Sequence, residues 1–478
     1  MSKSPSSSIS RRSALFSILV PVLALTACGG GGGGSTEVSG GAPAVPPVAT
    51  GAKPVTPPPS PAVAKWTEGT GPATTSAREV FAPALAIAPS GATLMVWAQS
   101  EGLSPVAERL YASFSELGST AWGSPMLLSD DAAGTLQVTD SVPGWNQGNN
   151  NFQVAWHPAT GNAIVIWRTQ NSDQYVGTLW TRTWNAQTKQ WGAATSIATN
   201  MVSTPKMTTS TAGHIAIAWQ SLDLATNANS VNVRVIGPDS QVVTHVATGT
   251  EFALGRFVVD TNGRVSLTWP RNSRQMLAQT GTASWSAPAE IGETRYYLEW
   301  FYDLAVAPDG QVSVAWTDPN GSVATLLYKN SSQYSYPSPF RVSLTSGTPS
   351  VRWTPKGWAM TFISSPVQPD SYGSANVLQN ALWFTRLDPK SPQWVSPIEV
   401  GPVGEGTLQL FASDNGDLLA VGKGYQVSGY RMGADESAWA RTSIMWDGQA
   451  PIVTHDPKNG LAAMGWVKNT GLETWFWR

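Results

Sequence analysis

One short unit returns along most of this 478-residue chain and restricts its fold more than any other feature. An apolar stretch enters a turn that carries Pro or Asp and then Gly, and a second apolar stretch follows and ends in Trp. In five copies the Trp stands six residues beyond the Gly: Gly91 and Trp97, Gly161 and Trp167, Gly213 and Trp219, Gly263 and Trp269, Gly310 and Trp316. Looser copies run from Gly357 to Phe362, from Gly416 through Leu419, Ala420 and Val421, and from Gly460 to Trp466. The residues after each Gly alternate, as in Gln311-Val312-Ser313-Val314-Ala315-Trp316, with the period of two that marks a strand. Gly supplies the positive φ that tight hairpin turns demand. The spacing predicts eight hairpins.

Two further elements recur between the hairpins. One is a third strand, such as Arg109–Phe114, Val231–Val235 or Ala381–Arg386. The other is a Trp, then a Pro or Ala, then a short apolar strand, beginning at Trp122, Trp191, Trp285 and Trp394. Eight units share the 414 residues from 65 to 478, about 52 each. Four strands at that repeat length make a propeller blade. The expected fold is all-β: a β-propeller of eight four-stranded blades, with seven as the alternative if one loose copy is no blade. A stack of parallel coils fits poorly, because Gly-turned hairpins pair antiparallel. The last unit stops after its third strand, Glu473–Arg478, while Lys65-Trp66-Thr67-Glu68-Gly69-Thr70-Gly71-Pro72 has the Trp and Pro spacing of the missing fourth. The N-terminal strand is therefore expected to complete the last blade and to pair otherwise open edges.

Ahead of residue 65 the composition changes. Residues 1–27 carry Lys3, Arg11 and Arg12 and then an apolar run from Ala14 to Leu25, the layout of an export signal and too short to span a bilayer. The single Cys follows directly, in Leu25-Thr26-Ala27-Cys28, which resembles the lipobox of bacterial lipoproteins. That resemblance implies cleavage after residue 27, acylation of Cys28 and attachment to a membrane through the lipid. Gly29, where Asp would retain the chain, implies outer-membrane sorting, so a place in the bacterial cell envelope is expected. An ordinary secretory signal with a coincidental Cys is the alternative. From 28 to 64 the lipidated Cys leads into six Gly (29–34) and eight Pro. Such a segment has almost nothing apolar to offset chain entropy and reads as a disordered tether with a reach of about 30 Å. Residues 65–478 form the folded domain.

Composition removes several function classes. Lys and Arg total 29 against 31 Asp and Glu, which argues against a nucleic-acid partner. One Cys excludes a disulfide framework, and His157, His214, His245 and His455 show no ligand spacing, so no metal site and no cofactor are predicted. His157 and His455 both precede turn Pro residues and read as equivalent turn positions. Most Trp residues recur at one place in the repeat, where a large ring fills the space between blades. Trp145 and Trp300 fall outside that rhythm and are candidate exposed platforms.

Two long connections concentrate polar groups: Ser129–Asn151, with Asp140 and Trp145, and the stretch holding Arg295, Tyr296, Glu299 and Trp300. Arg168, Arg271, Asp318 and Lys468 read as equivalent positions past the second-strand Trp. Such a ring could engage a carboxylate or phosphate. The candidate ligand-binding residues are thus Asp140, Trp145, Arg168, Arg271, Arg295, Tyr296, Glu299 and Trp300.

Over residues 65–478 the repeats resemble those of bacterial sialidase-type β-propeller proteins, although the Ser-x-Asp-x-Gly-x-x-Trp box is absent and Asp309-Gly310 is only a loose echo. Sialidase chemistry would require an Arg triad, a Tyr–Glu pair and an acid. Arg168, Arg271 and Arg295 with Tyr296 or Tyr297 and Glu299 are the residues the resemblance offers for it. The Arg-Ile-Pro signature of that group is missing, and neighbours on one strand face opposite ways, so no catalytic residue is assigned. The function expected is a membrane-anchored binding or scaffold module for a protein or glycan. The alternative is a cell-surface carbohydrate-active enzyme.

Overall fold

The computed structural model describes residues 65–477 except 75–78, 82, 102–106, 130–133, 137–150, 171–175, 250–251, 281–283, 295–301, 320–321, 330–331, 337–348, 365–366, 370–374, 378–379, 388–392, 404–405, 425–426, 443–450 and 469–470. Among these residues the regular structure is β throughout.

Blade 5 shows the plan. Tyr302–Val306 pairs antiparallel with Val312–Thr317, which pairs with Val323–Lys329, which pairs with Ser332–Tyr336. The described strands fall into eight such units in chain order, the second and third joined into one sheet by a single pairing of Met201 with Ser221. Their inner strands are Ala84–Ile87, Phe152–Trp156, Lys206–Thr209, Arg256–Val259, Tyr302–Val306, Ser350–Thr354, Gly406–Ala412 and Ile452–Asp456. The glycine of every predicted hairpin has a positive φ: Gly91, Gly161, Gly213, Gly263, Gly310, Gly357, Gly416 and Gly460 lie between 66° and 99°. That conformation strains any residue with a Cβ, which is why the sequence punctuates each turn in the same way.

The eighth blade is built from both ends of the domain. Trp66–Thr70 pairs antiparallel with Gly471–Trp477, in register from Trp66 opposite Trp477 to Thr70 opposite Glu473. Gly71 N–H then donates to the Leu472 carbonyl at 2.9 Å. The expected completion of the last blade by the N-terminal strand is what the pairing shows.

Polar contacts join every neighbouring pair of blades. Trp156 Nε1 donates to Ala86 O (3.2 Å), Met207 N to Gln153 Oε1 (2.6 Å) and Lys206 Nζ to Gly255 O (3.0 Å). Arg256 and Arg352 reach Asp303 from either side, and Leu410 N donates to Ser350 Oγ (3.1 Å). Ser413 Oγ meets His455 Nε2 (3.2 Å), and Asn459 Nδ2 donates to Pro89 O (3.2 Å), returning to blade 1. The ring is closed.

Between the blades the apolar faces interlock. The Trp residues of the repeat are buried: Trp97, Trp167, Trp219, Trp269, Trp316 and Trp466 are each 4% exposed or less. Packing, rather than a sugar-stacking surface, accounts for these six. Each removes a large apolar area from water, and truncation of one to Ala costs about 3–5 kcal/mol.

Closure at blade 8 depends on a close approach at Gly71, where a Cβ would run into the Leu472 carbonyl; at Gly123 the nearest atom to an added Cβ is 3.6 Å away. Gly71→Ala is expected to lower unfolding stability by about 2 kcal/mol in denaturant titration, and Gly123→Ala by less than about 0.5 kcal/mol.

Candidate functional site

Each inner strand begins at the face that carries the inter-blade connections and runs toward the tight Gly turns. Its first residues therefore line one mouth of the central channel. One position recurs there: Ala84, Gln153, Lys206, Arg256, Asp303, Ser350, Gln409 and Ile452, each paired with the residue just before the second-strand Trp or its counterpart. In blades 3 to 7 this layer is polar throughout. A cavity of about 900 Å³ opens along it, lined at this end by Gln153, Lys206, Arg256, Asp303, Arg352 and Gln409 and at the turn end by Asp260 and Asp414.

Asp303 is the hub. Its Oδ2 accepts from Arg352 Nη1 (2.7 Å), Ser350 Oγ (3.0 Å) and Val351 N (3.0 Å), and its Oδ1 faces Arg256 Nη1 at 3.4 Å. Burial alone would raise its carboxyl. The guanidinium groups of Arg352 and Arg256 and the N–H groups of Val351 and Leu304 outweigh that, so the group is held below the ordinary carboxylate range. The two Arg side chains remain partly open to solvent, 38% for Arg256 and 30% for Arg352. With Lys206, three cationic side chains and the Asp303 carboxylate line this end of the cavity. Gln409 adds an acceptor: its Oε1 is buried and takes no hydrogen bond from the protein. At the far end Asp260 is engaged in its own turn, accepting from Asn262 N and Arg264 N at 2.8 Å.

His455 lies one level deeper, in the inner strand of blade 8. Its ring stacks on Phe411 (centroids 5.5 Å apart, planes 29°) and its Nε2 meets Ser413 Oγ. Burial, with the charge of Arg352 adding to it, pushes the imidazole down to about 4. The equivalence of His157 and His455 as turn positions, expected from sequence, does not hold. Gly161 N donates to His157 O as Gly460 N does to Asp456 O, so the counterpart of His157 is Asp456, and His455 belongs to the strand. His157 is buried at its turn, with Nε2 3.0 Å from Gly237 O.

Of the residues singled out from sequence, Asp140, Trp145, Arg295, Tyr296, Glu299 and Trp300, like Cys28, lie outside the described residues. Arg271 ends the second strand of blade 4 opposite Arg274, in a turn made by Asn272 and Ser273 at positive φ. Arg168 is 4% exposed. It does not share the position of Arg271, Asp318 and Lys468: it follows its Trp by one residue and they follow theirs by two, so it faces the other side of its sheet.

Sequence reasoning misses Lys206, Arg256, Asp303, Arg352 and Gln409, although a signal for most of them is there. Seven residues before the turn Gly stand Lys206, Arg256, Asp303, Ser350 and Gln409, and in blade 2, where the turn is one residue longer, Gln153 stands eight before.

Comparison with protein-family models and with curated proteins returns no match. Among solved structures the chain is similar to an α-L-arabinofuranosidase from Fusarium graminearum (10% identity, TM-score 0.41, 86% of this chain and 97% of that one). It is similar also to the β-propeller domain of the trilobed protease from Pyrococcus furiosus (8%, 0.38, 79% and 96%) and to a sialidase from Streptococcus pneumoniae (10%, 0.35, 74% and 66%). At these levels no residue role passes from them to this chain.

The His455 ring sets a pH dependence. Its folded value lies below the ordinary 6.5, so its contribution is complete above that pH and is lost as the pH falls from 6.5 toward 4, where the unfolded chain takes up a proton that the folded one excludes. Relative to a His455→Gln variant, the chain is expected to lose about 3 kcal/mol of unfolding stability over that range, as read by denaturant titration at each pH. Parallel pH profiles for the two proteins would contradict this.

Proposed function

We propose that this chain is a lipid-anchored binding module of the bacterial cell envelope whose ring takes up an acidic glycan at the connection-bearing mouth of its channel. The observation that carries the reading is the lining there: the cationic side chains of Lys206, Arg256 and Arg352 gather at one end of the cavity, with the buried Gln409 Oε1 beside them. Cations set in a partly dry wall favour a carboxylate over a neutral group, and Arg does so with directed donors. A buried amide oxygen favours a ligand that also donates a hydroxyl. A uronic or other acidic sugar offers both. The acylated Cys28 and the Gly- and Pro-rich segment to residue 64 would hold the ring off the membrane while leaving it free to turn.

Binding is favoured over turnover by the state of Asp303. A glycosidase requires two carboxyl groups at a set separation, one of them able to deliver a proton. Asp303 is the one carboxylate among the described residues at this end of the cavity, and it is ionised and fully engaged. The second reading, a carbohydrate-active enzyme, would draw its carboxylates from Asp140 and Glu299, outside the described residues.

Calorimetric titration with oligogalacturonate and with a neutral galacto-oligosaccharide separates the readings. The acidic oligomer is expected to bind, more weakly as salt rises, and the neutral one not to. Lys206→Met is expected to weaken the acidic ligand by roughly tenfold. Equal binding of both oligomers would remove the charge argument. Chain-shortened product in the same samples would establish the enzyme reading instead, and no binding of either would turn the search to an acidic protein partner.

A further inference from the structure

We infer that the outermost strand of blade 3, Val242–Thr248, is a self-pairing edge through which two copies of this chain join. Outer strands of a propeller are exposed edges, and folded proteins protect such edges with bulges, charges, Pro or brevity. Protection is visible around this ring. The outer strands of blades 2, 4 and 6 are broken by register shifts. Those of blades 1 and 7 are two and three residues long, and that of blade 8 carries Glu68.

The outer strands of blades 3 and 5 carry neither a shift, a charge nor a Pro, and that of blade 3, seven residues against five, is the longer. It pairs with Ala228–Ile236 over seven residues without a shift, and no described strand covers its other side. Gln241 to Gly249 contains no Asp, Glu, Lys, Arg or Pro. Val242, Val243 and Val246 are about half exposed (51%, 50% and 53%).

The hydrogen-bond phase shows what the edge offers. Gly237 N donates to Gln241 O, so the odd-numbered residues from 241 bond inward to the third strand. The backbone groups of Val242, Thr244, Val246 and Thr248 therefore point outward. Their side chains share the exposed face, and all four are β-branched and uncharged.

The occupant that fits is a second copy. A two-fold axis at His245 sets Val242 opposite Thr248 and Thr244 opposite Val246 on both sides of the seam. On the exposed face each row then joins two neutral β-branched residues, while on the other face Val243 meets Ala247 and His245 meets its own copy at the axis, so no Lys, Arg, Asp or Glu is opposed. An interface of this kind closes on itself as a dimer and does not propagate.

Sedimentation equilibrium of the full chain in detergent at micromolar concentrations tests the inference. A dimer is expected. Val246→Lys, which sets two ammonium groups diagonally across the axis, is expected to weaken it by at least roughly tenfold, and Val246→Thr to preserve it. Val242→Lys serves as a second disrupting variant, with Trp fluorescence confirming that each remains folded. A monomeric parent chain would overturn the inference, as would a dimer that survives both Lys variants or one that Val246→Thr abolishes equally.

Discussion

Each four-stranded sheet of this protein has two apolar faces, and neither can be left in water. The arrangement that covers both for every sheet is a ring, and the contacts from Trp156–Ala86 round to Asn459–Pro89 show that it closes at every junction. Closure needs a last strand, and the chain supplies it from its start: Trp66–Thr70 joins the two ends of the domain in one sheet. The large buried Trp rings, the eight left-handed glycines and the bare contact at Gly71 serve this one geometry.

The same repetition makes the channel. Because each blade presents its first strand to the axis, one sequence position per repeat becomes a layer of side chains around a common space. In blades 1 and 8 that position is apolar, Ala84 and Ile452; in blades 3 to 5 it is Lys206, Arg256 and Asp303. The polar half of the layer is linked through Asp303 and Ser350 across four blades. A buried ion pair of this kind contributes little net stability, since desolvation offsets most of the attraction. What it contributes is position: the guanidinium groups are held at the cavity wall instead of folding back along their own strands.

Much of the fold is legible in the sequence because its signals are local. A turn Gly, an alternating strand and a terminal Trp lie within about eight residues, and the missing fourth strand is recognisable from Trp66 and Pro72 alone. The channel layer is harder to read because it depends on aligning repeats whose turns differ in length. The extra residue in His157–Gly161 and Asp456–Gly460 shifts the count by one, which is why His455 resembles a turn residue until the pairing is known. A separate one-residue error, counted from the second-strand Trp, groups Arg168 with Arg271 and Asp318, which stand one place further beyond their own Trp. In a strand an error of one position exchanges the two faces, so a composition argument survives it and a site argument does not.

The most direct test of the closed ring is amide hydrogen exchange along Gly471–Trp477. The bond from Gly71 N to Leu472 O sets the phase, so the Thr474 and Phe476 amides point at the N-terminal strand, while Glu473 and Trp475 point inward to Leu461–Lys468. If the first strand closes the ring, Thr474 and Phe476 exchange as slowly as Glu473 and Trp475, all four opening with the blade as a unit. Rapid exchange at Thr474 and Phe476 alone, with the other two protected, would show an open blade and contradict the account.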